Sequence, residues 1–315
     1  MEYRHLGKHG VRVSEICLGS WLTYGGATAS DAARSCIERS YDLGVNFFDT
    51  ANVYARGAAE KIVGEVLRQY PRDSYVLATK VYFPMGDRPN DRGLSRKHIL
   101  EQCDASLKRL GVDYIDLYQA HRYDPTVPLS ETLMAFDHLI HQGKILYYGV
   151  SEWSAGQIAH AADLTRVAGL YPIASNQPQY SILERKIEAE VMPLCQREGI
   201  GIINWSPLAQ GILTGKYMPG EALPEGSRAS DSRQNAFMRM DDEQLTKVQK
   251  LGSIAQSEGL TMSQLALAWC LRTPALSSVI IGATKPHQVE ENVEAAGKKL
   301  SAQSIEAIDD LFSVA

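Results

Sequence analysis

The sequence predicts an α/β chain closed into a (β/α)8 TIM barrel, with an N-terminal β-hairpin and an extra C-terminal helix. Three observations predict it. Eight short apolar runs, rich in β-branched and aromatic residues, recur along the 315 residues. Between most of them lie segments whose apolar residues fall at helical spacing, so the order reads βαβα throughout. No low-complexity tract or composition break divides the chain, which favours a single domain over 1–315 rather than two doubly wound halves.

Tyr3 to Leu6 and Val11 to Ser14 flank Gly7-Lys8-His9-Gly10, a hairpin placed to plug one end of the barrel. The barrel strands are expected at Glu15–Leu18, Asn46–Asp49, Tyr75–Lys80, Tyr114–His121, Leu146–Ser151, Ile173–Gln177, Gly201–Trp205 and Ser278–Ile281. Strands buried on both faces need crossover helices to cover them. Stripes such as Ile99, Cys103, Leu107 and Leu110, then Leu129, Leu133, Phe136 and Ile140, step by three or four and supply such faces. Ser206 to Met240 is rich in Gly, Pro and Ser and too irregular for a helix; loops of that length are lids or disordered segments. Past Ala302, the spacing of Ile305, Ile308, Leu311 and Phe312 predicts a final helix.

Composition narrows the function classes. With 44% hydrophobic and 22% charged residues, disorder, collagen and coiled coil are excluded. A net charge of -5, from 32 basic and 37 acidic side chains, leaves no basic surplus for nucleic acid. Five scattered cysteines, an odd number, argue against a disulfide scaffold. No apolar run is long enough to span a membrane and the first residues lack a signal-peptide pattern, so a cytoplasmic location is expected. No metal site is assigned.

Barrel active sites lie where the strands end. The first strand ends in Gly19-Ser20-Trp21, the second in Asp49 with Tyr54 five residues on, the third in Lys80 and the fourth in His121. A charged side chain led to by the apolar run Val76 to Thr79 must be paired or shifted in pKa, so Lys80 stands out. Asp49 is expected to pair with it. The ammonium would lower the pKa of the Tyr54 phenol, which could protonate a carbonyl oxygen while His121 donates a second hydrogen bond. No G-x-G-x-x-G follows any strand, so a hydride cofactor would lie across the barrel mouth rather than in a Rossmann site. On chemistry alone, Lys80 is also a candidate Schiff-base nucleophile of an aldolase.

The run Phe48-Asp49-Thr50-Ala51-Asn52-Val53-Tyr54, with Lys80 and His121, resembles the catalytic tetrad of the aldo-keto reductases. Gly149-Val150-Ser151-Glu152-Trp153, Asn176 to Tyr180, Trp205 to Gly211 and Ile281 to Thr284 resemble that family's cofactor-binding segments in the same order. Trp21, Gly25-Gly26 and Leu208 to Tyr217 resemble most the branch containing the β-subunits of voltage-gated potassium channels.

The resemblance implies an NADPH-dependent oxidoreductase that reduces aldehydes or ketones, with Asp49, Tyr54, Lys80 and His121 as its catalytic residues. Gly19, Ser20, Trp21 and Asp49 would lie near the nicotinamide, and Ser151, Glu152 and Gln177 near its carboxamide. Trp205, Ser206, Pro207, Leu208, Ala209, Gly211, Lys216 and Arg228 would wrap the pyrophosphate, making 206–240 a cofactor-covering loop. Gly282, Thr284, Lys285, Gln288, Glu291 and Asn292 would receive the adenosine end. Thr284, Lys285 and Gln288 sit where relatives hold a ribose 2′-phosphate, implying preference for NADP(H). Trp21, Tyr24, Tyr82, Phe83 and Trp153 would line an aromatic substrate pocket where they face inward. The partner is a small carbonyl substrate; a homo-oligomer, tetramer or octamer, is expected. The alternative is a redox-sensing regulatory subunit that binds cofactor on a membrane channel with little turnover, without itself inserting into the membrane.

Overall fold

A backbone whose side chains are buried on both faces can satisfy its N–H and C=O groups only on neighbouring strands. The eight apolar runs do so in the computed structural model, which describes residues 1–21, 24, 30–231, 235, 238 and 240–312. Two short antiparallel strands, β1 (Tyr3–His5) and β2 (Arg12–Ser14), precede the barrel. Its strands are β3 (Ile16–Gly19), β4 (Phe47–Asp49), β5 (Val76–Val81), β6 (Ile115–Ala120), β7 (Ile145–Ser151), β8 (Ser175–Gln177), β9 (Gly201–Trp205) and β10 (Leu276–Ile281). They are parallel and close in chain order, with β10 returning to β3.

The expected ends shift by a residue or two. The sixth run shortens to Ser175–Gln177, although Ala174 still donates to the Tyr148 carbonyl at 2.8 Å. The eighth starts earlier, at Leu276, because pairing with β9 continues across a register shift between Leu276 and Ser278.

The crossovers are helices. They are α1 (Ser30–Asp42), α2 (Ala58–Leu67), α3 (Arg96–Leu110), α4 (Leu129–His141), α5 (Ala155–Ala168) and α6 (Val191–Glu198). Between β9 and β10 come α7 (Asp242–Ser257) and α8 (Met262–Leu271), and α9 (Pro286–Val293) follows β10. The expected final helix is α10 (Ala302–Leu311). Capping by polar side chains sets several starts: the Ser95 hydroxyl accepts from the His98 amide at α3, and Ser154 with Gln157 forms a capping box at α5.

The hairpin closes the floor of the barrel. Leu6 and Val13 are fully buried with Cys17, Phe47, Ala78, Leu117 and Ile203, inside the ring of strands. Each of the buried Leu, Val, Ile and Phe side chains contributes about 1.5–3 kcal/mol by leaving water. Gly7 makes the plug possible: at φ +59°, an added Cβ would lie 2.2 Å from the Gly199 carbonyl oxygen. With the floor filled, access to the barrel remains at the opposite, C-terminal end of the strands.

Among the described residues no helix is long and apolar enough to cross a membrane. The five cysteines are buried and free. Gly25-Gly26 lies outside the described residues, as do 232–234, 236, 237 and 239 of the long loop.

Candidate active site at the C-terminal rim

Register places the polar strand ends side by side. Gly19 pairs with Asp49, Lys80 with Gln119, Gln119 with Gly149 and Ser151 with Gln177, pairs that together make a polar band around the mouth although Asp49 itself registers with Ala78 on β5. Backbone bonds extend the band into the loops: Ser20 N donates to Asp49 O at 3.0 Å and His121 N to Val81 O at 3.0 Å.

Lys80 is fully buried and spends its ammonium on three acceptors. It donates to Asp49 Oδ1, to the Thr50 carbonyl at 2.8 Å and to the Tyr54 hydroxyl at 3.4 Å. Burial alone would lower its pKa, but the charge of Asp49 and the hydrogen bonds outweigh that and raise it. The amine is therefore a charged donor, which disfavours the Schiff-base reading of Lys80.

Asp49 is satisfied on both oxygens. Its Oδ2 accepts from Gln177 Nε2 at 2.9 Å and from Gln119 Nε2 at 3.2 Å. Sequence reasoning passed over Gln119, because attention to the residue closing each run hides a polar side chain two positions earlier. The signal was there: in β6, Leu117 and Gln119 share the inward face, and an amide inside a closed barrel requires a partner.

Tyr54 sits on a tight turn between β4 and α2. Ala55 and Arg56 have φ of 47° and 51°, and Gly57 follows at +90°. Such left-handed residues in succession are costly and hold the phenol at a fixed place on the rim. The expected acidification of Tyr54 is not what the structure gives. Desolvation raises its pKa, and the opposing charge of Lys80 only partly offsets it, so the phenol stays protonated. His121 packs edge-on against the Tyr54 ring, with centroids 5.7 Å apart. Burial, then the charges of Lys80 and Arg122, push the His121 pKa well below the usual histidine value, so the ring is neutral. Its Nδ1 is buried without a hydrogen-bond partner among the described residues.

The other sequence-identified residues divide into three groups. Around the rim, Gly19 is packed so closely that a Cβ would meet Ile280 Cγ2 at 2.5 Å. Ser20 donates to Thr50 Oγ1 at 2.8 Å, and Ser151 Oγ to the Gln177 carbonyl at 2.8 Å. Glu152, at φ 58°, accepts from Gln179 N at 2.7 Å and Trp205 Nε1 at 2.6 Å. Trp21 meets Trp205 edge-on at 5.8 Å.

After β9 the long loop coils sharply: Ser206, Ala209 and Gln210 have φ of 54°, 47° and 59°, and Gly211 lies at 97°. Pro207 is buried and Leu208 packs against the core. Lys216 lies against Gly211, where a Cβ would be 3.0 Å from its Nζ. Arg228 stacks over the Trp21 ring at 5.4 Å, and burial lowers its pKa. No ion pair joins Arg228 to a carboxylate among the described residues.

Past β10, Gly282, Thr284 and Lys285 are exposed. Gln288 Oε1 accepts from Thr284 N at 2.8 Å, Thr284 Oγ1 at 3.1 Å and Lys285 N at 3.1 Å, organising the start of α9. Glu291 accepts from Thr261 Oγ1 at 2.8 Å, and Asn292 is buried.

Of the expected pocket aromatics, Phe83 lies beside His121 with ring centroids 4.8 Å apart, and Tyr82 touches Phe83. Tyr24 and Trp153 are instead only 2% exposed and belong to the core. A depression of about 350 Å³ between the long loop and α7, lined by Tyr217, Leu223 and Met240 among others, contains none of Asp49, Tyr54, Lys80 or His121.

The arrangement joins a neutral phenol to a buried ammonium at the open end of a parallel barrel, which suits proton donation to a polarised oxygen. Comparison with known proteins agrees with the class of fold and chemistry. Residues 15–312 match the model of the aldo/keto reductase family, whose members are oxidoreductases that generally bind NAD(P)H. An Arabidopsis thaliana protein named as a probable voltage-gated potassium channel subunit beta is 46% identical over 94% of this chain and 91% of its own. An Oryza sativa subsp. japonica protein of the same name is 43% identical over 94% and 91%. A Schizosaccharomyces pombe protein provisionally given that subunit name is 43% identical over 99% and 93%. With its closed eight-stranded barrel and a match to the family model over nearly the whole length, the chain belongs to the aldo/keto reductase family.

Proposed function

We propose that this protein reduces aldehydes or ketones to alcohols with NADPH, with Tyr54 as the proton donor. The contact of the Tyr54 hydroxyl with the Lys80 ammonium, itself held by Asp49, carries the reading. When bound, the cofactor supplies the hydride. Tyr54, protonated across the physiological range, gives its proton to the carbonyl oxygen as that oxygen becomes an alkoxide. Lys80 lowers the cost of the phenolate left behind, and Asp49, fixed by Gln119 and Gln177, keeps the ammonium in place. His121, uncharged, adds a hydrogen bond to the same oxygen.

The residues fit such a cofactor. Arg228 is a half-buried cation with no carboxylate partner among the described residues, and with Lys216 it suits a diphosphate wrapped by Trp205 to Gly211. Ser20, Trp21, Ser151, Glu152 and Gln177 would flank the nicotinamide, and Gly282 to Asn292 the adenosine end, with Lys285 toward a 2′-phosphate.

The test is a panel of aldehydes and ketones, with NADPH consumption followed optically for the wild type and Tyr54→Phe. Turnover that drops at least about a hundredfold in the variant, with NADPH still bound, supports the mechanism. Wild-type rates in Tyr54→Phe would sink it.

The names of the relatives favour a second reading, a cofactor-binding regulatory subunit of a potassium channel. It predicts turnover far below one per second with tightly retained cofactor on the same panel. A cytoplasmic homo-oligomer, tetramer or octamer, goes with either reading, and light scattering near 34.8 kDa would exclude it.

A further inference from the structure

Arg122 follows His121 at the end of β6 and is half-buried. One guanidinium nitrogen, Nη1, donates to the His121 carbonyl at 2.6 Å. The guanidinium lies over the Phe83 ring, 5.4 Å from its centroid. Phe83 in turn meets His121 edge-on, and His121 meets Tyr54. Tyr54, His121, Phe83 and Arg122 thus form one wall, starting at the hydroxyl assigned to proton donation and ending in a cation.

That cation has no carboxylate partner among the described residues. Most other half-buried arginines do, Arg96 and Arg228 excepted: Arg4 pairs with Glu15, Arg72 with Asp116, Arg109 with Glu60, Arg185 with Asp309 and Arg272 with Glu188. Lys80 cannot substitute as an anion receptor, since its charge is taken by Asp49. A partly desolvated guanidinium with open donors favours a carboxylate or phosphate, whose oxygens its planar fork matches. Phe83 beside it offers an apolar face to the carbon skeleton between such a group and the carbonyl.

We propose that Arg122 is an anion-binding subsite of the substrate pocket, so that the favoured substrates are carbonyl compounds carrying a carboxylate or phosphate a few bonds from the reacting carbon. The proposal rests on the reading of Tyr54 as proton donor, which fixes where the carbonyl lies. Arg122 is then a specificity-determining residue.

The experiment compares 4-carboxybenzaldehyde with benzaldehyde, and glyceraldehyde 3-phosphate with glyceraldehyde, as NADPH-dependent substrates of the wild type, Arg122→Gln and Arg122→Lys. In at least one pair, the wild type is expected to favour the anionic member about tenfold or more in kcat/KM, chiefly through KM. That ratio should fall towards one in Arg122→Gln and be partly kept in Arg122→Lys, which retains the charge without the fork. An anionic-to-neutral ratio that is the same in wild type and Arg122→Gln for both pairs overturns the subsite even if all aldehydes are reduced. If no aldehyde is reduced, the reading of Tyr54 fails separately. Titration calorimetry of 4-(hydroxymethyl)benzoate into the NADP⁺-loaded protein then decides: binding weakened about tenfold by Arg122→Gln supports the subsite, and equal binding overturns it.

Discussion

Lys80 lies 3.4 Å from the Tyr54 hydroxyl, yet the phenol is less acidic than an ordinary tyrosine. Burial disfavours the phenolate by more than the ammonium favours it, because Asp49 shares the same ammonium and adds its own negative charge nearby. The proton is thereby kept on Tyr54 until an acceptor arrives. Lys80 matters less as an acidifier of the resting phenol than as a counter-charge ready for the moment the proton leaves.

Lys80→Met is the first consequence. It removes the counter-charge and leaves the carboxylate of Asp49 buried with only two amides. Breaking a buried pair in this way costs about 3–5 kcal/mol of stability. Carbonyl reduction should fall at least as far as in Tyr54→Phe. Urea midpoints and NADPH turnover on the same preparations check both; a variant as stable as the wild type would contradict the pairing argument.

His121 gives a pH signature. Its folded pKa lies well below its unfolded value of about 6.5. In the window between the two, the unfolded chain binds the proton and the folded one does not, so stability falls as pH drops below about 6.5, by up to about 1.4 kcal/mol per pH unit. Above that value the contribution is fully present and constant. His9 and His98 are also lowered, but they remain when His121→Gln is compared with the wild type. The advantage of the wild type in urea midpoints should therefore be level from pH 7 to 8 and shrink towards pH 5. A difference that stays level down to pH 5 would show that His121 titrates normally.

Much of this was legible in the sequence because closure of a barrel imposes a repeating pattern. Strands buried on both faces read as short apolar runs, and the polar residues at or next to their C-terminal ends, Asp49, Lys80 and His121, fall on the rim. What stayed hidden depends on side-chain direction. Gln119 is inside an apolar run, and only the strand's alternation shows that it faces Asp49. Tyr24 and Trp153 had the composition of pocket residues, but they pack into the core. The brace of Glu60 and Arg109, 49 residues apart, joins two helices and has no local signature.

The cofactor proposal is tested at Lys285. Gln288 is unsuitable for that purpose, since its Oε1 holds Thr284 and Lys285 at the start of α9 and its loss would disturb the whole turn. Lys285 is exposed. Lys285→Ala should weaken NADPH about tenfold, the scale of one charge-assisted contact to a phosphate, and leave NADH nearly unchanged. Fluorescence titration of both cofactors measures it; equal losses would place Lys285 away from the 2′-phosphate.

The turn that carries Tyr54 has a brace beneath it. Gly57, at φ +90°, leaves no room for a side chain: a Cβ would lie 2.6 Å from Arg109 Cδ and 2.9 Å from its Nε. Arg109 Nε donates to Glu60 Oε2 at 2.5 Å, and Glu60 Oε1 accepts from Thr79 Oγ1 at 2.6 Å. Thr79 immediately precedes Lys80 on β5, so one chain of contacts ties the Tyr54 turn to the strand bearing its ammonium. Gly57→Ala meets both an unfavourable backbone conformation and the Arg109 side chain, and should cost about 1–3 kcal/mol. Displacement of the turn should also lower kcat although every tetrad side chain is still present. Glu60→Gln leaves Gly57 free and removes the charge that holds Arg109, at about 3–5 kcal/mol for the uncompensated guanidinium. Urea unfolding and steady-state kinetics of the two variants test the brace. A Gly57→Ala protein with wild-type stability and wild-type kcat would show that the turn does not depend on the packing of Gly57 against Arg109.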